Sequence, residues 1–176
     1  MKGLFTRLSL AALALACVAA AAVAVQARQQ QQSPPPFTVQ EILKLKRVGD
    51  PQLSPDGKWV AYTVAVPDVA ANRSRTQIYV VPVSGGEPKQ LTTGDSSSTA
   101  PRWSPDGRRL AFTTGGQIWT MSADGADRKQ VTNISTGAAD PVWSPDGRWL
   151  AFASDIYPDC ADDECNKRRE AEAEAN

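Results

Sequence analysis

From Val60 to Val64 and from Ile78 to Val81 almost every position is apolar. Strict alternation would mark a sheet with one wet face. Consecutive apolar residues in runs this short predict strands covered on both faces. Downstream, four short extended runs, "APRW" (100–103), "LAFTT" (110–114), "QIWTMSA" (117–123) and "RKQVT" (128–132), predict four short strands in one stretch.

That stretch repeats. "WSPDGRRLAF" (103–112) returns as "WSPDGRWLAF" (143–152), and a weaker copy, "LSPDGKWVAY", stands at 53–62. "QIYVVPVSGGEPKQLT" (77–92) returns as "QIWTMSADGADRKQVT" (117–132), so the period is 40 residues. The first S-P-D-G lies 50 residues before the second, and the surplus of ten falls in "VPDVAANRSR" (66–75). That segment is polar and without periodicity, and it predicts a longer loop inside one repeat. Four strands per period predict an all-β fold, an incomplete β-propeller of about two and a half four-stranded blades. A β-sandwich also spaces its strands this way, but it offers no reason for ten of fourteen residues to coincide between 101–114 and 141–154.

Each S-P-D-G joins two of the strands. In Ser104-Pro105-Asp106-Gly107 the proline presets φ at the first central position of a type I turn and aspartate tolerates the second. Glycine takes the left-handed conformation that closes a bulged hairpin. Ser54-Pro55-Asp56-Gly57 and Ser144-Pro145-Asp146-Gly147 are the same turn. Asp56, Asp106 and Asp146 are therefore expected to serve their turns, not to act as metal ligands or catalytic carboxylates.

What precedes the repeats bears on the compartment. Lys2 and Arg7 lead an alanine-rich apolar run from Leu8 to Val25, followed by Val25-Gln26-Ala27 as small residues at a cleavage position. Residues 1–27 are read as a secretory signal peptide, which makes the protein exported, periplasmic or extracellular, with no stable membrane insertion after cleavage. A retained anchor is the alternative, because the run reaches the lower limit of a membrane span. Cys17 invites a lipoprotein reading, but the apolar run continues past it and "ALA" fits a lipid-attachment site poorly. Residues 28–36, "RQQQQSPPP", predict a disordered or polyproline II spacer. Over 37–49 the character changes: Thr38 and Glu41 stand at capping-box spacing and Phe37 and Ile42 at staple spacing, predicting a lead-in helix that ends near Gly49. The basic "KLKR" (44–47) fits a solvated helix face. Blades then occupy 50–155, and 156–176 holds a Cys-bearing insertion and the start of a charged helix.

Composition removes most kinds of chemistry. The 19 basic and 19 acidic residues balance, and without Lys2 and Arg7 the mature charge is about −2. No basic patch is interleaved with aromatics, which argues against nucleic acid as a partner. The chain has no histidine, G-x-S-x-G elbow or glycine-rich phosphate loop. A Ser-His-Asp or Cys-His site needs an imidazole base, so no catalytic, cofactor-binding or metal residue is assigned and no cofactor is expected. Cys160 and Cys165, in "YPDCADDECNK", predict a short-loop disulfide in an exported protein. The alternative is a metal site with Asp159, Asp162, Asp163 and Glu164, but that cluster has no histidine to complete a zinc sphere and lacks calcium-loop spacing.

From Phe37 to about Glu170 the chain resembles the start of a secreted bacterial serine peptidase of the prolyl oligopeptidase family, in its acylaminoacyl-peptidase or dipeptidyl-peptidase-like branch. The S-P-D-G hairpins are shared with the Tol translocation propeller and other periplasmic propellers. More specific are "FTVQEILKLKRVGDPQLSPDGKWVAYTV" and "WLAFASDIYPDCADDECNKRR", which resemble the family's lead-in helix with first blade and a cysteine-bearing insertion between blade strands. The resemblance implies a propeller that filters peptide substrates ahead of a C-terminal α/β-hydrolase domain with a Ser-Asp-His triad. None of that triad is present to be carried over, so the expectation is an N-terminal fragment, inactive alone, that lacks its hydrolase domain. The alternative is a non-enzymatic, Tol-propeller-like periplasmic protein that binds protein or glycan partners.

Overall fold

A computed structural model describes residues 37–175. The apolar leader over 1–27 and the Gln/Pro-rich spacer over 28–36 lie outside the described residues. After a one-turn helix, α1 (Val39–Ile42), ten strands follow in chain order. They are β1 (Arg47–Leu53), β2 (Trp59–Asp68), β3 (Arg73–Pro82), β4 (Lys89–Gln90) and β5 (Ser98–Trp103). Then come β6 (Arg109–Thr114), β7 (Gln117–Ser122), β8 (Lys129–Gln130), β9 (Ala139–Trp143) and β10 (Leu150–Ala153), before the helix α2 (Asp163–Glu174). They form two four-stranded antiparallel meanders, β1-β2-β3-β4 and β5-β6-β7-β8, and a β9-β10 hairpin. The fold is thus two full propeller blades and the first hairpin of a third.

Two expectations are corrected. The lead-in helix does not run to Gly49: it stops at Ile42, and the chain is already in β1 at Arg47. Nor is "VPDVAANRSR" a loop. Its residues extend the β2-β3 hairpin beyond Ala65↔Thr76 by the pairs Val66↔Arg75, Pro67↔Ser74 and Asp68↔Arg73, leaving only residues 69–72 as the turn. The corresponding β6-β7 hairpin ends at Thr114↔Gln117. The ladder accounts for the shorter helix: Val48 and Arg47 pair with Val64 and Ala65 of β2, and pairing of these backbone groups overrides the local helical preference of the basic segment.

The core lies where blade faces meet. Ala61, Ile78, Val80, Leu91, Leu110, Phe112 and Met121 form one buried cluster, with Trp103 and Trp119 packed against it. β6, in the middle blade, buries Leu110, Ala111 and Phe112 in succession, as its unbroken apolar run requires. β5 packs against β1, β2 and β3 of the blade before it, and β9 against β5, β6 and β7. The first strand of each blade is therefore the one that touches its neighbour.

Those first strands share a kink. In β1 and β5 the register slips between Gly49 and Gln52 and between Thr99 and Arg102, and β9 slips against β10 at the matching place. The residue before proline has positive φ in every case: Asp50 (47°), Ala100 (51°) and Asp140 (52°). Aspartate tolerates this conformation, whereas alanine adopts it at a cost. The bulge turns the peptide so that the next residues face the preceding blade.

Candidate functional site

The three S-P-D-G turns are nearly superposable in their bonding. In the middle blade the Ser104 hydroxyl donates to Asp106 Oδ1 (2.6 Å), the Arg108 amide donates to the same oxygen (3.1 Å), and the Arg109 amide donates to Ser104 Oγ (2.9 Å). Ser54, Asp56, Lys58 and Trp59 repeat the set, with the serine–aspartate bond again 2.6 Å. So do Ser144, Asp146, Arg148 and Trp149. Gly57, Gly107 and Gly147 lie at φ of 71°, 69° and 68°, which closes each turn in a conformation other residues resist.

These bonds hold all three carboxyls below the ordinary aspartate value of 3.8, chiefly through the serine hydroxyl and then through the amide two residues on. A carboxylate engaged in this way is a clamp on its hairpin. Its folded-state pKa is depressed, so its contribution to stability is present above the unfolded value and is lost as pH falls through the folded one. Urea midpoints are therefore expected to drop as pH falls below the ordinary aspartate value of 3.8, and Asp106→Asn is expected to flatten part of that acid limb. An acid limb identical in the variant would show that Asp106 takes no part in it.

The turns also stack. A Cβ placed on Gly107 would sit 3.6 Å from the Pro55 ring of the preceding blade, and one on Gly147 would sit 3.5 Å from the Pro105 ring. The tryptophan before each later turn reaches back the same way. Trp103 Nε1 donates to the Gln52 carbonyl (3.0 Å) and Trp143 Nε1 to the Arg102 carbonyl (3.1 Å). Facing these indoles across the junction, Trp59 shares a cleft with Trp103, and the Arg109 guanidinium lies 4.8 Å from the Trp143 ring centre. At the first junction the Arg102 guanidinium also reaches Asp50, with Nη1 at 2.8 Å from Oδ2 and 3.0 Å from Oδ1.

A second clamp repeats within each full blade. The Ile78 amide donates to Thr92 Oγ1 (2.8 Å) and the Ile118 amide to Thr132 Oγ1 (2.9 Å). The Gln77 side chain donates to the Gly94 and Ser96 carbonyls, and the Gln117 side chain donates to the Ile134 carbonyl and accepts from its amide. These bonds hold the segment that leads from one blade to the next. Neither this second clamp nor the Arg102–Asp50 pair was anticipated. The recurrence of Gln and Thr at the 40-residue period was the available signal.

The acidic and cysteine-bearing segment is tied down locally. Cys160 and Cys165 are bonded, with their Cα atoms 5.3 Å apart. Asp162 caps α2 by accepting from the Cys165 amide (2.9 Å), and Asp163 accepts from the Ser135 amide and hydroxyl. Asp159 pairs with Arg169 (3.4 Å), whose guanidinium also lies over the Tyr157 ring. The buried Asn166 side chain accepts the Tyr157 amide (3.0 Å). The chemistry assembled across the described residues is thus that of turns, caps and blade junctions.

Comparison with known proteins agrees with this architecture. The chain is 39% identical over 77 residues to dipeptidyl-peptidase 5 of Porphyromonas endodontalis, a match covering 44% of this chain and 11% of that protein. It therefore spans about a tenth of the length of such relatives. Among solved structures, the acylaminoacyl peptidase of Pyrococcus horikoshii superposes with a TM-score of 0.56 at 24% identity, over 69% of this chain and 19% of that one. AtxE2 isopeptidase does so with a TM-score of 0.59 at 21% identity, over 81% and 26%. At these identities the structures speak to the fold. The family model for the TolB beta propeller domain matches residues 42–157, and the chain belongs to that family.

Proposed function

We propose that this chain is the N-terminal propeller portion of an exported serine peptidase, in which the propeller controls which peptides reach a C-terminal α/β-hydrolase domain. The observation that carries this reading is the 39% identity to a dipeptidyl-peptidase 5 of which the chain spans only 11%. The relative's name describes an activity that this chain, without histidine, does not encode by a Ser-His-Asp route. On this reading the nucleophile and base belong to the hydrolase domain, and the blades act by excluding large or folded substrates.

The coding region, read through to its stop codon, supplies the test. The longer product is expected to hydrolyse dipeptidyl chromogenic substrates and to lose that activity to a serine-directed inhibitor. Residues 28–176 alone are expected to show no hydrolysis above a mock preparation. A frame that ends after further S-P-D-G blades, with no G-x-S-x-G elbow, would overturn the proposal. It would favour a binding propeller instead, the reading to which the TolB-type family model lends weight.

Export is part of the proposal, and the cysteines report on it. In an oxidising compartment Cys160 and Cys165 are expected to stay bonded, because a short loop closes readily there. Alkylation of the exported product without reductant, followed by mass spectrometry, is expected to leave both sulfurs unlabelled. Two labelled thiols would count against the compartment.

A further inference from the structure

We infer that the cleft between Trp59 and Trp103, at the junction of the first two blades, binds the guanidinium group of an arginine side chain carried by a peptide. This rests on that junction alone and holds whether or not the longer product is a peptidase. Trp59 stands at the start of β2 and Trp103 at the end of β5, so both walls belong to complete blades. The cleft between them measures about 280 Å³. Drug-sized ligands occupy roughly 300–1,000 Å³, so a space of this size suits a single side chain. Asp56, Asp124 and Lys89 supply the charge of the lining, two carboxylates against one ammonium. The ammonium is already engaged, since Lys89 Nζ donates to the Asp124 carbonyl at 2.8 Å.

The second junction shows what such a place holds. Trp103 and Trp143 stand at the same position of successive repeats, and each indole donates back to a carbonyl of the blade before it, at 3.0 and 3.1 Å. Five residues after the turn serine the repeats have Trp59 and Arg109. At the second junction that residue supplies a cation to the indole, because the Arg109 guanidinium lies 4.8 Å from the Trp143 ring centre. At the first junction the same position is a second indole, and the cation is left to a ligand. A planar guanidinium stacks on aromatic faces, which a compact, strongly hydrated ammonium does less well. Asp56 supplies the carboxylate. Its Oδ1 is taken by the Ser54 hydroxyl and the Lys58 amide, and its Oδ2 lies 3.7 Å from the Lys58 ammonium. That ion pair is a surface one, with the Lys58 side chain 75% exposed, and gives way to a ligand at little cost. A sugar would also stack on the indoles, but the excess of carboxylate in the lining and the guanidinium at the sister junction favour a cation.

The experiment titrates the full chain with N-acetyl-arginine methylamide and follows the indole N–H signals of Trp59 and Trp103 by NMR. Both are expected to shift saturably, and the citrulline analogue, of the same shape without the charge, is expected to bind about fivefold more weakly or worse. Free arginine, whose own carboxylate meets a lining with excess negative charge, is expected to bind about threefold more weakly. Asp56→Asn keeps an oxygen for the turn and is expected to weaken binding by about fivefold. Trp59→Arg copies the Arg109–Trp143 arrangement onto the first junction and is expected to abolish binding while the Trp103 signal persists. The citrulline comparison, made on the unaltered chain, decides the matter even where a variant fails to fold. Shifts that do not saturate would overturn the inference, as would equal binding of the citrulline analogue or binding indifferent to Trp59→Arg. Equal shifts at Trp149, an indole 71% exposed and outside the cleft, would do the same. Tighter binding of free arginine would overturn the assignment to a peptide. Methyl glucoside moving the two signals where the arginine compound does not would assign the cleft to a sugar and overturn it too.

Discussion

Phe112→Ala is expected to lower the stability of the chain by about 3–5 kcal/mol, and Phe152→Ala, at the same place in the next repeat, by about 1 kcal/mol or less. The sequence around the two residues is almost the same: "RRLAFTT" against "RWLAFAS". Their surroundings differ. Phe112 is 1% exposed within the cluster of Ile78, Val80, Leu91 and Met121, while Phe152 is 41% exposed on the β9-β10 hairpin, which has no later blade against it among the described residues. Truncating the first leaves a cavity between two sheets that cannot collapse, and truncating the second removes area that water already reaches. Urea denaturation followed by circular dichroism measures both. Phe112→Leu, expected to cost about 1–1.5 kcal/mol, keeps the comparison usable if the alanine variant does not fold. Equal losses at the two positions would mean that burial by the neighbouring blade is not what distinguishes them.

Trp103→Ala is expected to cost about 3 kcal/mol and Trp103→Phe about 1 kcal/mol. Two contributions meet at this side chain. Its ring packs against the core cluster, and its Nε1 donates to the Gln52 carbonyl of the preceding blade at 3.0 Å. Phenylalanine keeps most of the ring contact and loses only the donor, leaving a carbonyl at a blade junction without its partner. Alanine loses both. Since the contact joins blades and not strands of one blade, hydrogen exchange in β1 and β2 is expected to quicken more than exchange in β6 and β7. If phenylalanine costs as much as alanine, the donor and not the packed area carries the junction. If neither costs more than about 0.5 kcal/mol, the junction is held by Arg102–Asp50 and the turn stacking instead.

The Asp50–Arg102 pair illustrates why some of this was hidden from a linear reading. The two residues are 52 positions apart, in segments that match each other in the repeat, and an alignment of the copies sets Asp50 beside Ala100 and Arg102 beside Gln52 and Val142. Comparing equals with equals therefore makes both look like unremarkable variation. The pairing runs diagonally, from one copy to the next, and becomes visible only once the bulges turn successive first strands toward their neighbours. The Gln and Thr clamps, by contrast, recur in register at Gln77 and Gln117 and at Thr92 and Thr132, and were open to detection from the period alone.

Local chemistry and periodicity were enough to determine the blade, because each S-P-D-G turn is closed by bonds among residues five positions apart or fewer, and the central strands carry consecutive apolar residues. They also determined that the unit repeats, and hence that the fold is a propeller. Only the tertiary structure decided where the strands end. The ten surplus residues became four more ladder pairs and a wider turn because an extended hairpin satisfies its backbone groups internally, whereas a loop would leave them to water. Pairing with Ala65 and Val64 of β2 drew Arg47 and Val48 out of the expected helix. Burial, too, was decided there. Phe112 and Phe152 carry the same local signal, and the presence or absence of a covering blade makes one of them core and leaves the other exposed.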